Sequence, residues 1–153
     1  MIIIKEGMNA PFFEGPDQSG KSVSLNDFKG KKLVLYFYPK DNTPGCTSEA
    51  CNLRDNYDDL QRQGFAVVGV SPDSEKSHTK FAEKFRLPFP LISDSEKKIL
   101  SDYGAYGEKK MYGRIFPGVL RTTVIIDEKG IIEKIIKKVD TKEHTSQIFK
   151  LYE

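Results

Sequence analysis

Two short apolar runs, residues 33–38 and 65–70, constrain the fold of this chain more than any other feature of its sequence. Neither run contains a charged residue, a pattern typical of strands that are buried on both faces. The apolar residues between the runs recur at steps of three and four, which is the spacing of one stripe on a helix. They are Cys46, Ala50, Leu53, Tyr57 and Leu60. A strand, a helix that ends near Gly64 and a second strand therefore predict a parallel pair within one sheet.

The remainder of the chain continues this alternation. Further helices are predicted after Ser74 and over 95–103 and 141–152, and further strands over 89–92, 122–126 and 131–139. The last of these runs fits a helix nearly as well, but the turn before it favours a strand. The turn composition of 17–20 predicts a small hairpin near the N-terminus. The sequence thus predicts an α/β fold with a mixed central sheet, flanking helices and an N-terminal hairpin.

Length and charge limit the number of domains and the class of partner. The 153 residues match the most common size of one domain, and neither a repeat nor a linker-like segment divides them, so a single domain over 1–153 is expected. The chain has 24 Lys and Arg against 22 Asp and Glu. This balance predicts no nucleic-acid partner.

The longest uncharged apolar run, 33–38, is far shorter than the roughly 18 residues that a membrane-spanning helix needs. Residues 1–6 contain three isoleucines before the first charge and no small-residue cleavage site, unlike a signal peptide. We therefore expect no membrane association and a cytoplasmic location.

Cys46 lies at the start of the first predicted helix. Thr43 is expected at the N-cap and Pro44 at the first helical position, which places Cys46 within the first turn. The unpaired backbone amides of a helix N-terminus favour a thiolate over a thiol. A reactive Cys46 is the favoured interpretation, and the alternative is a small unreactive core residue, the commoner fate of an isolated cysteine.

Cys51 follows five residues later, so an intact helix would direct the two sulfurs to different sides. The two Cα atoms would lie about 8 to 9 Å apart, beyond the roughly 7 Å limit for a disulfide without backbone movement. The pair is a poor static crosslink, but it suits a redox pair whose helix unwinds when the bond forms. An unreactive core thiol is the alternative for Cys51.

Other cysteine chemistries are disfavoured. A zinc site needs three or four ligands, and the two histidines, His78 and His144, fall in predicted polar helix surroundings without ligand spacing to either cysteine. No metal site is therefore expected. The C-x-x-C motif of thioredoxin-type oxidoreductases is also missing, because four residues separate the cysteines.

The segment 39–46, Pro-Lys-Asp-Asn-Thr-Pro-Gly-Cys, resembles the peroxiredoxin signature Pro-x-x-x-Thr/Ser-x-x-Cys. The segment 46–51, Cys-Thr-Ser-Glu-Ala-Cys, is similar to the peroxiredoxin Q branch, also called bacterioferritin comigratory protein. The likeness extends over nearly the whole chain, through 33–39, 68–73, 89–94, 107–113 and 121–127. It implies a thioredoxin-like fold.

The resemblance also implies a thiol peroxidase that serves antioxidant defence and redox homeostasis. It would reduce hydrogen peroxide and organic hydroperoxides with no metal, haem, flavin or other cofactor. Cys46 would be the peroxidatic cysteine, which becomes a sulfenic acid, and Cys51 the resolving cysteine, which converts that acid into an intramolecular disulfide. A thioredoxin-like or glutaredoxin-like donor would then reduce the disulfide.

Three further residues match the family's catalytic site. Thr43 would hold the peroxide through its hydroxyl, Arg121 would stabilise the thiolate and the negative charge on oxygen, and Pro39 would shield the sulfur from water. Glu49 also fits the family pattern, and Arg114 matches less well than Arg121.

Phe12 and Tyr106 depart from the residues common in relatives, which affects surface packing, donor docking and any dimer contact. A monomer or a weak homodimer is expected. Two other functions remain open: a redox-sensing interaction protein that uses the same disulfide switch, and a general disulfide oxidoreductase, which the missing C-x-x-C disfavours.

Overall fold

The computed structural model describes residues 3–153. The strands among them are β1 (Glu14–Pro16), β2 (Ser22–Ser24), β3 (Lys32–Phe37), β4 (Phe65–Ser71), β5 (Leu91–Ser93), β6 (Tyr106–Met111), β7 (Arg114–Val119), β8 (Thr122–Ile126) and β9 (Ile132–Ile136). The helices are α1 (Pro44–Asp55), α2 (Tyr57–Arg62), α3 (Glu75–Phe85), α4 (Lys98–Asp102) and α5 (His144–Lys150), with a single 3-10 turn over Leu25–Phe28.

Five of the strands form the central sheet, in the order β5-β4-β3-β8-β9. Strands β3, β4 and β5 are parallel, whereas β8 is antiparallel to both of its neighbours, β3 and β9. The predicted mixed sheet and the predicted strand character of the run 131–139 are therefore confirmed. The predicted N-terminal hairpin is present as the antiparallel pair β1-β2, whose strands lie on either side of the predicted turn 17–20.

The central strand β3 is buried on both faces, as its uncharged sequence predicts. Alternate side chains point to opposite faces of a strand. Leu35 and Phe37 pack into one apolar cluster and Val34 and Tyr36 into a second, on the other side of the sheet. Helices α1, α2, α3 and α5 cover the second cluster through Leu53, Leu60, Phe81 and Ile148. The first cluster is covered by Phe13, which precedes β1, by Val23 of the hairpin and by Ile99 and Leu100 of α4.

The helix predicted to run to Gly64 is divided into α1 and α2. The break is at Asn56, whose backbone leaves the helical region (φ −110°, ψ 14°). The Asn56 side-chain amide donates to the Asn52 carbonyl oxygen at 2.8 Å, so a carbonyl of the last turn of α1 is bonded by a side chain. Asparagine competes with the helix through such local bonds. The apolar stripe survives the break because Leu53 and Leu60 are both buried.

The sequence analysis did not predict the hairpin β6-β7. Its strands contain Gly107, Pro117 and Gly118 and several charged residues, and much of their surface is exposed. They pair with each other outside the central sheet. No strand-like alternation of apolar residues therefore marks them in the sequence. Among residues 3–153, no helix combines the length and the apolar character that crossing a membrane requires.

The topology brings two distant segments to one edge of the sheet. The chain leaves β3 and enters α1 at the carboxyl end of the parallel strands, where ligand and active sites of open α/β sheets lie. Because β8 runs antiparallel to β3, with Phe37 opposite Thr122, the start of β8 lies at the same edge. Arg121 immediately precedes β8 and is thereby brought to the start of α1.

Candidate active site

The loop between β3 and α1 is fixed to the protein interior by Asp41. Its carboxylate accepts hydrogen bonds from Tyr38 Oη at 2.6 Å and from Ser77 Oγ at 2.8 Å. Asp41 Oδ2 also lies 2.6 Å from Nδ1 of His78, a residue of α3 that is fully buried. The predicted polar surroundings of His78 are therefore wrong. Its ring instead holds the loop against α3 and β5.

The other nitrogen of His78 lies 3.0 Å from the carbonyl oxygen of Ile92. A carbonyl oxygen accepts but cannot donate, so Nε2 carries a hydrogen. The close contact between Nδ1 and Asp41 Oδ2 is a second hydrogen bond of the ring. The ring and the carboxylate thus form one hydrogen-bonded unit beneath the loop.

Asp41, Asp73 and His78 bring three potential metal ligands within 4.8 Å of one another. Each ligand atom is already used by the protein, because Asp73 Oδ2 accepts from the Asp41 backbone amide at 2.6 Å and the other two atoms bond to each other. A cation would have to displace these bonds. We assign the cluster to loop anchoring.

Thr43 occupies the N-cap of α1, as predicted, and Pro44 is the first helical residue. The Thr43 side chain does not cap the helix: its Oγ1 donates to the Lys40 carbonyl oxygen at 2.9 Å. The hydroxyl oxygen keeps its acceptor capacity, and the residue is half-buried. A ligand that donates a hydrogen bond can therefore use Thr43 without breaking the existing bond.

Cys46 is the third residue of α1, and 1% of its surface is exposed. The first backbone amides of a helix have no intrahelical acceptor and carry partial positive charge. The Nη2 atom of Arg121 lies 3.4 Å from Cys46 Sγ. A fixed cation and a helix N-terminus at one sulfur both favour the thiolate.

Arg121 links Cys46 to a second acidic group. Its Nη1 donates to Glu49 Oε1 at 2.8 Å, while Nη2 faces the sulfur. Burial opposes the charge of the guanidinium, but the negative charges of Cys46 and Glu49 outweigh that effect and raise the pKa of Arg121. A Cβ atom at Gly45 would lie 3.2 Å from Nη2, so glycine leaves room for this approach.

Glu49 is fully buried one helical turn after Cys46. Burial raises the pKa of Glu49 to about 7, although the charge and the hydrogen bond of Arg121 pull it down. Its second oxygen, Oε2, lies 3.5 Å from His144 Nε2. His144 is fully buried as well, so its predicted polar surroundings are also wrong.

Cys51 is half-buried on α1, and both cysteines are free thiols in this structure. Burial raises the pKa of the Cys51 thiol; the charge of Arg54 lowers it in part, and that of Asp55 adds to the increase. In the intact helix Cys51 is therefore a protonated thiol at neutral pH and a poor nucleophile.

Two further residues were considered in the sequence analysis, Pro39 and Arg114. Pro39 is half-buried two residues after the end of β3, in the loop that carries Thr43. Arg114 is exposed at the turn of the hairpin β6-β7, paired with Met111. Arg121 is therefore the arginine at the sulfur. Gly45 and His144 were not predicted from the sequence as site residues. The sequence feature that places Glu49 near the sulfur is its i+3 spacing from Cys46 on one helix.

Known proteins of one family are similar to this chain over most of its length. Residues 7–135 match the model of the AhpC/TSA family. The chain is 43% identical over 146 residues to Peroxiredoxin Bcp of Bacillus subtilis, with 95% of this chain and 93% of that protein covered. It is 43% identical over 141 residues to Peroxiredoxin Bcp of Escherichia coli, with 92% and 90% covered.

Two solved structures from Xanthomonas campestris are similar over nearly their full lengths. One is a Peroxiredoxin Q, with a TM-score of 0.89, 31% identity and coverage of 97% of this chain and 98% of that chain. The other is the Bacterioferritin Comigratory Protein, from work on its alkyl peroxide reduction activity, with a TM-score of 0.88, 30% identity and 96% of each chain covered.

Proposed function

The chain belongs to the AhpC/TSA family and is a thiol peroxidase of its peroxiredoxin Q, or bacterioferritin comigratory protein, branch, and from this premise we propose that Cys46 is the peroxidatic cysteine. The observation that carries the proposal is the 3.4 Å contact between Arg121 Nη2 and Cys46 Sγ at the start of α1. The guanidinium keeps a positive charge beside a sulfur that solvent barely reaches. A thiolate held in this way is a ready nucleophile.

The first half-reaction oxidises this sulfur. The Cys46 thiolate attacks one oxygen of hydrogen peroxide or an organic hydroperoxide, the O–O bond breaks, and the sulfur becomes a sulfenic acid. The other oxygen leaves with the bonding electrons and takes a proton to become water or an alcohol. Arg121 faces the sulfur and the half-buried Thr43 lies three residues before it, which supports roles in stabilising the departing charge and in holding the peroxide.

Cys51 is proposed as the resolving cysteine. In the intact helix its raised pKa keeps it protonated. When α1 unwinds, Cys51 loses this burial and reaches Cys46; its thiolate attacks the sulfenic sulfur and water leaves. The product is an intramolecular disulfide. A dithiol donor of the thioredoxin type then returns both cysteines to thiols. The cytoplasm keeps such donors and thiols reduced, so it is the proposed location.

Replacing Cys51 tests this cycle directly. Cys51→Ser is expected to consume about one equivalent of peroxide per subunit and then to stop with thioredoxin as the reductant, because no internal disulfide can form. Thiol counting and intact mass after one equivalent of peroxide measure the sulfenic acid. Sustained thioredoxin-dependent turnover at the parent rate would exclude the resolving role.

Replacing Thr43 tests the binding of peroxide. Thr43→Val removes the hydroxyl and is expected to lower the rate constant for peroxide reduction about 2- to 10-fold, the value of one hydrogen bond that a neutral hydroxyl accepts from the peroxide. Thr43→Ser keeps the hydroxyl and is expected to stay near the parent rate. Stopped-flow kinetics separates the two variants. A parent rate in Thr43→Val would exclude a role of the hydroxyl in binding peroxide.

A further inference from the structure

Glu49 and His144 meet in the interior behind the contact between Arg121 and Cys46. Glu49 comes from α1, and His144 is the first residue of α5. Glu49 Oε1 accepts from Arg121, whereas Oε2 is buried without a hydrogen-bond partner and faces His144 Nε2 at 3.5 Å. A buried carboxylate oxygen that accepts no hydrogen bond is costly. The position of the protons on these two side chains therefore matters for the site.

The neighbours of His144 determine which ring nitrogen carries a hydrogen. Gln147 Nε2 donates to the Lys138 carbonyl oxygen at 2.8 Å, and Gln147 Oε1 accepts from the Asp140 amide at 2.9 Å. These two bonds set the orientation of the Gln147 amide. The same Oε1 lies 2.9 Å from His144 Nδ1, so Nδ1 is the donor.

The other ring nitrogen of His144 is an acceptor. Burial lowers the pKa of His144 to about 4, despite the bond to Gln147, so the ring is neutral at neutral pH and Nε2 has a lone pair. Thr123 Oγ1, 2.9 Å away, donates to this lone pair. An ionised Glu49 would place a further acceptor against the same nitrogen. A proton on Glu49 Oε2 removes this repulsion between two acceptors.

We propose that His144 is a positioning residue of the peroxidase site, which keeps the proton of Glu49 on Oε2 and so leaves the positive charge of Arg121 to the Cys46 sulfur. The inference rests on the proposed roles of Cys46 and Arg121. A guanidinium between a carboxylate and a thiolate is shared by two anions, whereas beside a neutral carboxyl its charge acts on the thiolate alone. Helix α5, far along the chain, thereby contributes to the electrostatics of the reacting sulfur.

A further titratable group near Glu49 supplies no charge at neutral pH. It is Tyr36 of β3, whose buried hydroxyl also lacks a hydrogen-bond partner. Burial, and then the nearby charges of Glu49, Cys46 and Asp41, raise the pKa of Tyr36 well above its usual value, with only Arg121 acting in the opposite direction. Burial is the main cause that raises the pKa of Glu49, and Arg121 is the charged neighbour that lowers it.

Infrared difference spectroscopy of the reduced enzyme during a pH titration tests where the proton lies. A protonated carboxyl band is expected below neutral pH, absent in Glu49→Gln, and lost with a midpoint at about 7. No such band below neutral pH would overturn the inference. This measurement needs no turnover: a band without Cys46-dependent turnover would refute the proposed function, whereas turnover without the band would refute this inference alone.

His144→Gln tests the part played by the imidazole. An amide can turn its N–H toward a carboxylate, so the ionised form of Glu49 gains a partner and the midpoint of its band is expected to fall by about one pH unit. The acid limb of the profile of Cys46 alkylation rate against pH is expected to move to higher pH, because Arg121 is then shared. Unchanged midpoints in both titrations would overturn the role of His144. The titration of the parent decides the position of the proton even if this variant does not fold.

Thr145→Val is the matched control, since it alters the next residue of α5. Thr145 Oγ1 donates to the Asn52 carbonyl oxygen of α1 at 3.4 Å, so the change loosens the same helix contact while His144 stays in place. Both midpoints are expected to match those of the parent. A shift as large as that in His144→Gln would mean that helix loosening, and not the imidazole, causes the effect, and would overturn the inference.

Discussion

Cys46→Ser is expected to reduce peroxide turnover to the uncatalysed background. A serine hydroxyl is not ionised near neutral pH, so neither Arg121 nor the start of α1 can hold a nucleophilic anion at this position. The substitution changes the side-chain volume little, and the fold is expected to remain. Peroxide consumption coupled to a thioredoxin, thioredoxin reductase and NADPH system measures the loss.

Cys51→Ser is the control for this experiment, because it also removes one thiol but leaves the reacting sulfur. A single equivalent of peroxide consumed by Cys51→Ser and none by Cys46→Ser assigns the first oxidation to Cys46. Turnover of Cys46→Ser at the parent rate would contradict the assignment and would place the chemistry at Cys51.

Arg121→Gln is expected to lower the rate constant of the first oxidation by about 10²- to 10³-fold, or about 2.7–4 kcal/mol, the usual effect of removing one donor from a site of developing negative charge. The variant loses the cation that lies 3.4 Å from the sulfur. Glu49 is not left as an unpaired buried charge, because Arg121 lowers its pKa; removing Arg121 raises that pKa further, so the buried carboxyl is expected to take up a proton. Stopped-flow kinetics at several pH values measures the effect.

Arg121→Lys and Arg114→Gln complete the comparison. Lysine keeps a charge but lacks the planar fork that reaches Cys46 and Glu49 together, so an intermediate rate is expected. Arg114 is exposed on the β6-β7 hairpin, and Arg114→Gln is expected to behave like the parent. Equal losses in Arg114→Gln and Arg121→Gln would mean that overall charge, and not the contact at the sulfur, controls the rate.

The strands and helices of the central sheet could be predicted because their signals are local. The run 122–126 forms β8 with the predicted bounds, and Ser74 caps α3 by accepting from the Ser77 amide. The pattern of Thr43 and Pro44 places α1 at its predicted start. In each case, a few adjacent residues favour one backbone conformation whatever the rest of the chain does.

Prediction was wrong where a distant contact outweighs the local pattern. His78 and His144 each lie among polar neighbours in the sequence, yet both are fully buried. Asp41 and the Ile92 carbonyl satisfy the ring of His78, and Thr123 and Gln147 satisfy that of His144. Burial of a polar group depends on such partners, and most of these four lie more than ten residues away in the chain.

The sequence by itself determined that two apolar strands join through a helix beginning at Thr43, and that Cys46 lies in the first turn of this helix. These features follow from residue spacing and backbone preference, which are properties of short segments. The tertiary structure alone decided that Arg121, 75 residues away, lies at the sulfur, and that His144 faces Glu49. Charge and protonation depend on distance and burial, and both arise when the sheet and its helices pack together.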